Sequence, residues 1–180
     1  MRQDIASVLI DEAAIQAKVR EMAAAISRDY ADRELSVVGI LKGATVFCAD
    51  LLRRITVPCT LDFMAISSYG AASRSTGVHR INLDLEGPLI GRHVLLVEDI
   101  VDTGLTLRFL REYLIQRTPA SLSIAVLLDK PSRRKADVEV EYRGFEIPDE
   151  FVVGYGLDYA GKYRNLPDVC ILKPEVFAPK

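Results

Sequence analysis

Apolar residues along the chain follow two rhythms. Between residues 12 and 29 they fall at Ile15, Val19, Met22 and Ile26, a helical spacing, with Asp11 placed to cap the helix. LSVVGIL (35–41), HVLLVE (93–98) and SLSIAVLLD (121–129) are instead continuous apolar runs, as expected of strands buried on both faces. VPCTLDFMAI (57–66) predicts another strand, and the alternation in VHRINL (78–83) an exposed one. ATVFCADLLRRI (44–55) and GLTLRFLREYLIQR (104–117) have helical patterns, and short strand-like pieces follow at 138–143, 151–154 and 169–172. Strands alternating with helices predict an α/β fold, a parallel sheet covered by helices on both sides. Ligands of such sheets sit beyond the carboxyl ends of the strands. Three predicted strands run into chemically active residues there: Leu41 into Lys42-Gly43, Val97 into Glu98-Asp99, and Leu128 into Asp129-Lys130.

Composition narrows the function classes. The 180 residues, 49% hydrophobic and 27% charged, suit one ordinary globular domain spanning 1–180. A formal net charge of −2 gives no reason to expect a nucleic acid or an anionic membrane as partner. No apolar run approaches the roughly 18 residues of a membrane span, and the acid-flanked N-terminus does not resemble a signal peptide. Cys48, Cys59 and Cys170 are odd in number, far apart and set in apolar segments, so reduced core thiols in a cytoplasmic protein are expected. SSYGAASRSTG (67–77) is polar and long enough to be a functional loop.

The stretch VLLVEDIVDTGLTL (94–107) poses the main chemical question. Its strand delivers Glu98 and Asp99 to a sheet edge, and Asp102 follows before a turn of small residues. Gly104 permits close backbone approach, while helix-start N–H groups and the hydroxyls of Thr103 and Thr106 form a phosphate cradle. The acids beside it repel a phosphate unless a divalent cation, or positive charge on the substrate, intervenes. Helix capping accounts for one of the three acids and leaves the others unexplained.

This stretch resembles the signature of the type I phosphoribosyltransferases, two acids after an apolar strand and then Asp-Thr-Gly-x-Thr. GILKGATVFCADL (39–51), SSYG…STG (67–77), VLLDKPSRR (126–134), GFEIPDEFVVGYGLDY (144–159) and YRNLPDVCIL (163–172) are similar, in order and spacing, to the hypoxanthine-guanine phosphoribosyltransferases. The resemblance runs from about residue 8 to the C-terminus. It implies a parallel five-stranded sheet flanked by helices, a flexible loop, and a small hood built from N- and C-terminal segments. It also implies transfer of the phosphoribosyl group of phosphoribosyl pyrophosphate (PRPP) to hypoxanthine or guanine, with Mg2+, in a cytoplasmic homodimer or homotetramer.

Carried over residue by residue, the resemblance makes Asp102 the base for the purine N7 proton. Glu98 and Asp99 match contacts to the ribose hydroxyls, which magnesium bridges. Asp102, Thr103, Gly104, Leu105 and Thr106 match the 5′-phosphate loop. Lys42 and Gly43 match the pyrophosphate loop, where the family often holds a non-proline cis peptide before the lysine, and Arg164 matches a second pyrophosphate contact. Asp158 matches a carboxylate at a second magnesium, near the purine 2-position. Lys130 matches the donor to purine O6, Phe151 the ring that stacks on the base, and Val152 a backbone contact to its pyrimidine edge. Ser68 and Tyr69 match the tip of the closing loop. The run SRRK (132–135) is expected to be a solvated turn or subunit contact. A non-catalytic PRPP or nucleotide sensor on the same fold, and a xanthine-preferring enzyme, are the alternatives.

Overall fold

The computed structural model describes residues 1–68 and 79–177. A six-stranded sheet has the order β4-β3-β2-β5-β6-β7, made of β2 (Leu35–Leu41), β3 (Cys59–Ser68), β4 (His79–Leu83), β5 (His93–Val101), β6 (Ser121–Asp129) and β7 (Tyr142–Glu146). Five of these strands are mutually parallel, and β4 runs antiparallel on the β3 edge. A second, antiparallel sheet joins β1 (Ile5–Ile10), β9 (Val169–Leu172) and β8 (Val152–Val153). The main helices are α1 (Glu12–Asp29), α2 (Thr45–Leu52) and α3 (Leu105–Ile115), with a short α4 (Pro174–Phe177) at the end.

The continuous apolar runs are explained by burial on both faces. Val37, Leu95, Val97 and Leu127 enter one core cluster with α1 and α2, whereas Val38, Leu96, Ile124 and Val126 enter another with Leu107, Leu110 and Leu114 of α3. The chain winds outward from β2 through α2 to β3, and in the opposite direction from β5 through α3 to β6. The switch therefore falls between the adjacent strands β2 and β5, where a crevice opens at their carboxyl ends.

Helix α1 spans the predicted residues, and Asp11 caps it by accepting from the Ala14 N–H at 2.8 Å. Other boundaries differ from expectation for identifiable reasons. β5 does not stop at Glu98 but continues to Val101, because β6 keeps pairing: Ile100 lies opposite Leu128 and Val101 opposite Asp129. The piece expected at 138–143 is displaced to β7, since Val138 and Val140 pack on the second core cluster outside any strand. β1 carries no clear periodicity, being mostly exposed, and forms through its distant partner β9. Burial pushes the Cys48 thiol up to about 11, and all three cysteines are free, in keeping with inert thiols. Among the described residues no helix is long and apolar enough to cross a membrane.

Candidate active site

The crevice is closed on one side by the turn after β2. The Leu41–Lys42 peptide is cis, and the Lys42 carbonyl accepts from the Thr45 hydroxyl at 2.6 Å as α2 begins. A Cβ at Gly43 would lie 1.7 Å from Asp99 Oδ2, so only glycine lets the β2 turn and the β5 acid meet. On the other side of the same turn, a Cβ at Gly156 would lie 2.2 Å from the Gly43 carbonyl oxygen. Arg164 donates from Nη1 to the Gly156 carbonyl at 2.6 Å and from Nη2 approaches Asp158 Oδ1 at 2.6 Å. Lys42, Gly43, Asp99, Asp158 and Arg164, scattered over more than a hundred positions, thus form one connected group. The second Asp158 oxygen accepts from the Gly161 N–H at 2.7 Å, so both are engaged within the protein.

The phosphate cradle lies across the crevice. Residues Glu98 to Gly104, with Thr106 and Leu107, line a cavity of about 170 Å³. Gly104 takes φ 80°, a left-handed conformation that turns the chain from β5 into α3, and Leu105 is the first residue of that helix. The loop is braced from outside by two backbone bonds to the Thr103 carbonyl, from Lys135 N at 2.9 Å and Ala136 N at 3.1 Å. Arg134 packs its stem under Gly104 and pairs with Asp129, the fully buried last residue of β6. Arg143 Nε approaches the other Asp129 oxygen at 2.9 Å, so two guanidiniums share one carboxylate beside the loop.

The acids differ in their surroundings. Burial, and then the Asp99 charge, holds the Glu98 carboxyl well above the usual carboxylate range. Burial also raises Asp99, against its backbone hydrogen bonds and the Arg164 charge. Asp102 Oδ1 lies 2.7 Å from Arg133 Nε, yet no aligned N–H or O–H of the described protein donates to this buried oxygen. The Arg133 guanidinium pairs with this oxygen, while the Asp102 side chain as a whole is half-exposed. Lys130 is 8% exposed, and its Nζ donates to the Glu150 carbonyl at 2.5 Å, next in the chain to Phe151. Burial lowers the Lys130 ammonium below its ordinary value, while the Asp102 and Asp149 charges oppose the shift. Phe151 is 38% exposed and directly precedes β8, which begins at the buried Val152. Ser68 ends β3, and Tyr69 lies outside the described residues.

Comparison with known proteins accords with this geometry. Residues 8–160 match the phosphoribosyl transferase domain. This chain belongs to the phosphoribosyltransferase family. The hypoxanthine-guanine phosphoribosyltransferase of Staphylococcus epidermidis is 51% identical over 178 residues, covering 99% of each chain. That of Bacillus subtilis is 49% identical over 177 residues, covering 98% of each. The crystal structure of a hypoxanthine phosphoribosyltransferase from Staphylococcus aureus superposes with a TM-score of 0.96 at 48% identity, covering 99% of this chain and 97% of that one.

Two arginines of this phosphoribosyltransferase escaped the reading of its sequence. The SRRK run is a largely exposed turn, as expected, but its arginines are paired: Arg133 reaches Asp102 and Asp149, and Arg134 reaches Asp129. The available signal was the buried Asp129 ending an apolar strand, since a buried carboxylate needs a cationic partner and the nearest cations follow it in the chain.

Proposed function

We propose that the protein transfers the 5-phosphoribosyl group from PRPP to N9 of hypoxanthine or guanine, giving IMP or GMP and pyrophosphate. The observation that supports this reading best is the half-exposed Asp102 carboxylate at the head of the phosphate cradle, in the charge field of the buried Lys130 ammonium. Asp102 takes the purine N7 proton as the glycosidic bond forms and positive charge leaves the sugar. A carboxylate is a weak base for this proton, so transfer accompanies or follows bond formation. Backbone N–H groups of residues 103–106 bind the 5′-phosphate, supported by the open turn at Gly104. Lys42, Gly43 and Arg164 hold the leaving pyrophosphate, an arrangement favoured by the Gly43–Gly156 contact that seats Arg164 beside the β2 turn.

Lys130 donates to the 6-oxo group of the base, Phe151 stacks on its ring, and Val152 contacts its pyrimidine edge. An ammonium meets a 6-amino group unfavourably, so adenine is rejected. Ser68 and Tyr69 close over the reactants and exclude water. Glu98 and Asp99 are the residues to hold one Mg2+, and Asp158 to hold a second. Their fit rests on the buried adjacent carboxyls of Glu98 and Asp99, whose mutual repulsion a divalent cation relieves. Among the described residues no three His, Cys, Asp or Glu side chains form a ready-made metal cluster, which suits an ion completed by substrate oxygens. When bound, the ion neutralises charge on the pyrophosphate group. A cytoplasmic homodimer or homotetramer accompanies the proposal on the family resemblance, as does a hood formed by the β1-β9-β8 sheet.

The test is nucleotide formation from PRPP and Mg2+ with hypoxanthine, guanine, xanthine and adenine in parallel. Turnover of hypoxanthine, with or without guanine, and none of adenine is expected. PRPP binding without turnover of any base would overturn the reading in favour of a sensor.

A further inference from the structure

We propose that Phe177, in the C-terminal helix, is a positioning residue that fixes the ring of Phe151 for purine stacking. The proposal rests on the assignment of Phe151 to the base. Phe151 is 38% exposed, and an aromatic side chain so open to solvent ordinarily samples several orientations. Here it is constrained on two sides. The Phe177 ring lies parallel to it, with centroids 4.8 Å apart and planes at 20°, and Tyr159 meets it edge-on at 5.6 Å and 89°. Phe177 covers one face, so a flat ligand has the other, and the bound state is a three-ring stack of Phe177, Phe151 and purine.

Phe177 is itself held in place. It packs with Val176 on Val153, Tyr163, Cys170 and Leu172, the third core cluster. β9 delivers it there directly, for the Leu172 N–H donates to the Phe151 carbonyl at 3.0 Å and α4 starts two residues later. The Lys173 N–H donates to the Asp4 carbonyl at 2.9 Å, tying the start of the tail to the N-terminal segment. A ring already held parallel to its ligand loses less rotational freedom when the ligand arrives. The C-terminal tail thereby contributes to base affinity without touching the base.

The experiment is steady-state kinetics of the 180-residue chain with Phe177→Ala, Phe177→Leu and Phe177→Tyr. Loss of one stacked aromatic pair should raise the KM for hypoxanthine about two- to tenfold. The KM for PRPP and kcat at saturating substrates should stay within about twofold of wild type. Phe177→Tyr should restore the hypoxanthine KM, and Phe177→Leu, which keeps apolar packing without a ring, should not. An unchanged or lowered hypoxanthine KM in Phe177→Ala, or equal rises in both KM values, would overturn the proposal alone. Absence of wild-type turnover with any purine would overturn the proposed function and this inference with it.

Discussion

The phosphate loop and the small β1-β9-β8 sheet are built in opposite ways. The loop is local: residues 98–106 follow one another, and one strand-to-helix turn places Glu98, Asp99, Asp102 and the Gly104 bend. The small sheet is remote: Ile5 pairs with Leu172 and Val153 with Cys170, so its strands come from both ends of the chain. One region is braced by buried charge, with Arg134 and Arg143 on Asp129. The other is braced by stacked rings and apolar packing around Val153 and Leu172. Each bracing suits the chemistry proposed beside it, a phosphate loop held by two guanidiniums on one carboxylate and a flat base against an aromatic ring. Two regions so different should respond to mutation through different kinetic constants.

The largest expected effect is on the loop side. Asp102→Asn should cut kcat by about 10²-fold or more, the scale of losing a general base, with PRPP affinity changed little. Unchanged kcat would remove Asp102 from its role. Gly43→Ala comes next, since the added Cβ collides with the Asp99 carboxylate. Displacing that acid by about an ångström should lower kcat/KM for PRPP on the order of 10²-fold. Product-inhibition analysis should place the loss in pyrophosphate and PRPP binding and leave the purine constant near wild type.

The smallest effect is on stability. Glu98 has a raised folded-state pKa, so the folded protein holds that proton more tightly than the unfolded chain. Its contribution is complete below the ordinary glutamate value of about 4.3 and is lost as pH rises toward and through the folded value. Glu98→Gln removes this loss. Without magnesium, its Tm at about pH 7.5 should exceed wild type by about 2–4 °C, the shift expected for roughly 1 kcal/mol in a chain of this size. Near pH 4 the two Tm values should converge. A gap constant across pH would mean that Glu98 ionisation is not the cause.

The comparison also explains what was legible in the sequence. Buried parallel strands announce themselves as continuous apolar runs, so β2, β5 and β6 could be located, and Asp11 marked the start of α1 by its position before an amphipathic pattern. The phosphate loop was legible because its residues are contiguous. The extension of β5 past Glu98 was not, for it depends on the ladder that β6 offers opposite Ile100 and Val101. Nor was β1, whose exposed residues give no periodicity and which exists through β9. Arg133 and Arg134 resembled surface charge until the burial of Asp129 and the position of Asp102 gave them partners. Phe177 carries no signal in the sequence, because its partner Phe151 is met only on folding.

The most direct test of this division of labour is a crossed measurement of KM for PRPP and for hypoxanthine in Lys130→Met and Arg134→Met. Loss of a hydrogen bond from a charged donor is worth about 1.5–3 kcal/mol, so Lys130→Met should raise the hypoxanthine KM roughly 10- to 100-fold and leave that for PRPP nearly unchanged. Arg134→Met should do the reverse, raising the PRPP KM and sparing hypoxanthine, because its guanidinium lies under the phosphate loop. If both variants instead raise both constants by similar factors, the two regions act as one unit and the account is wrong.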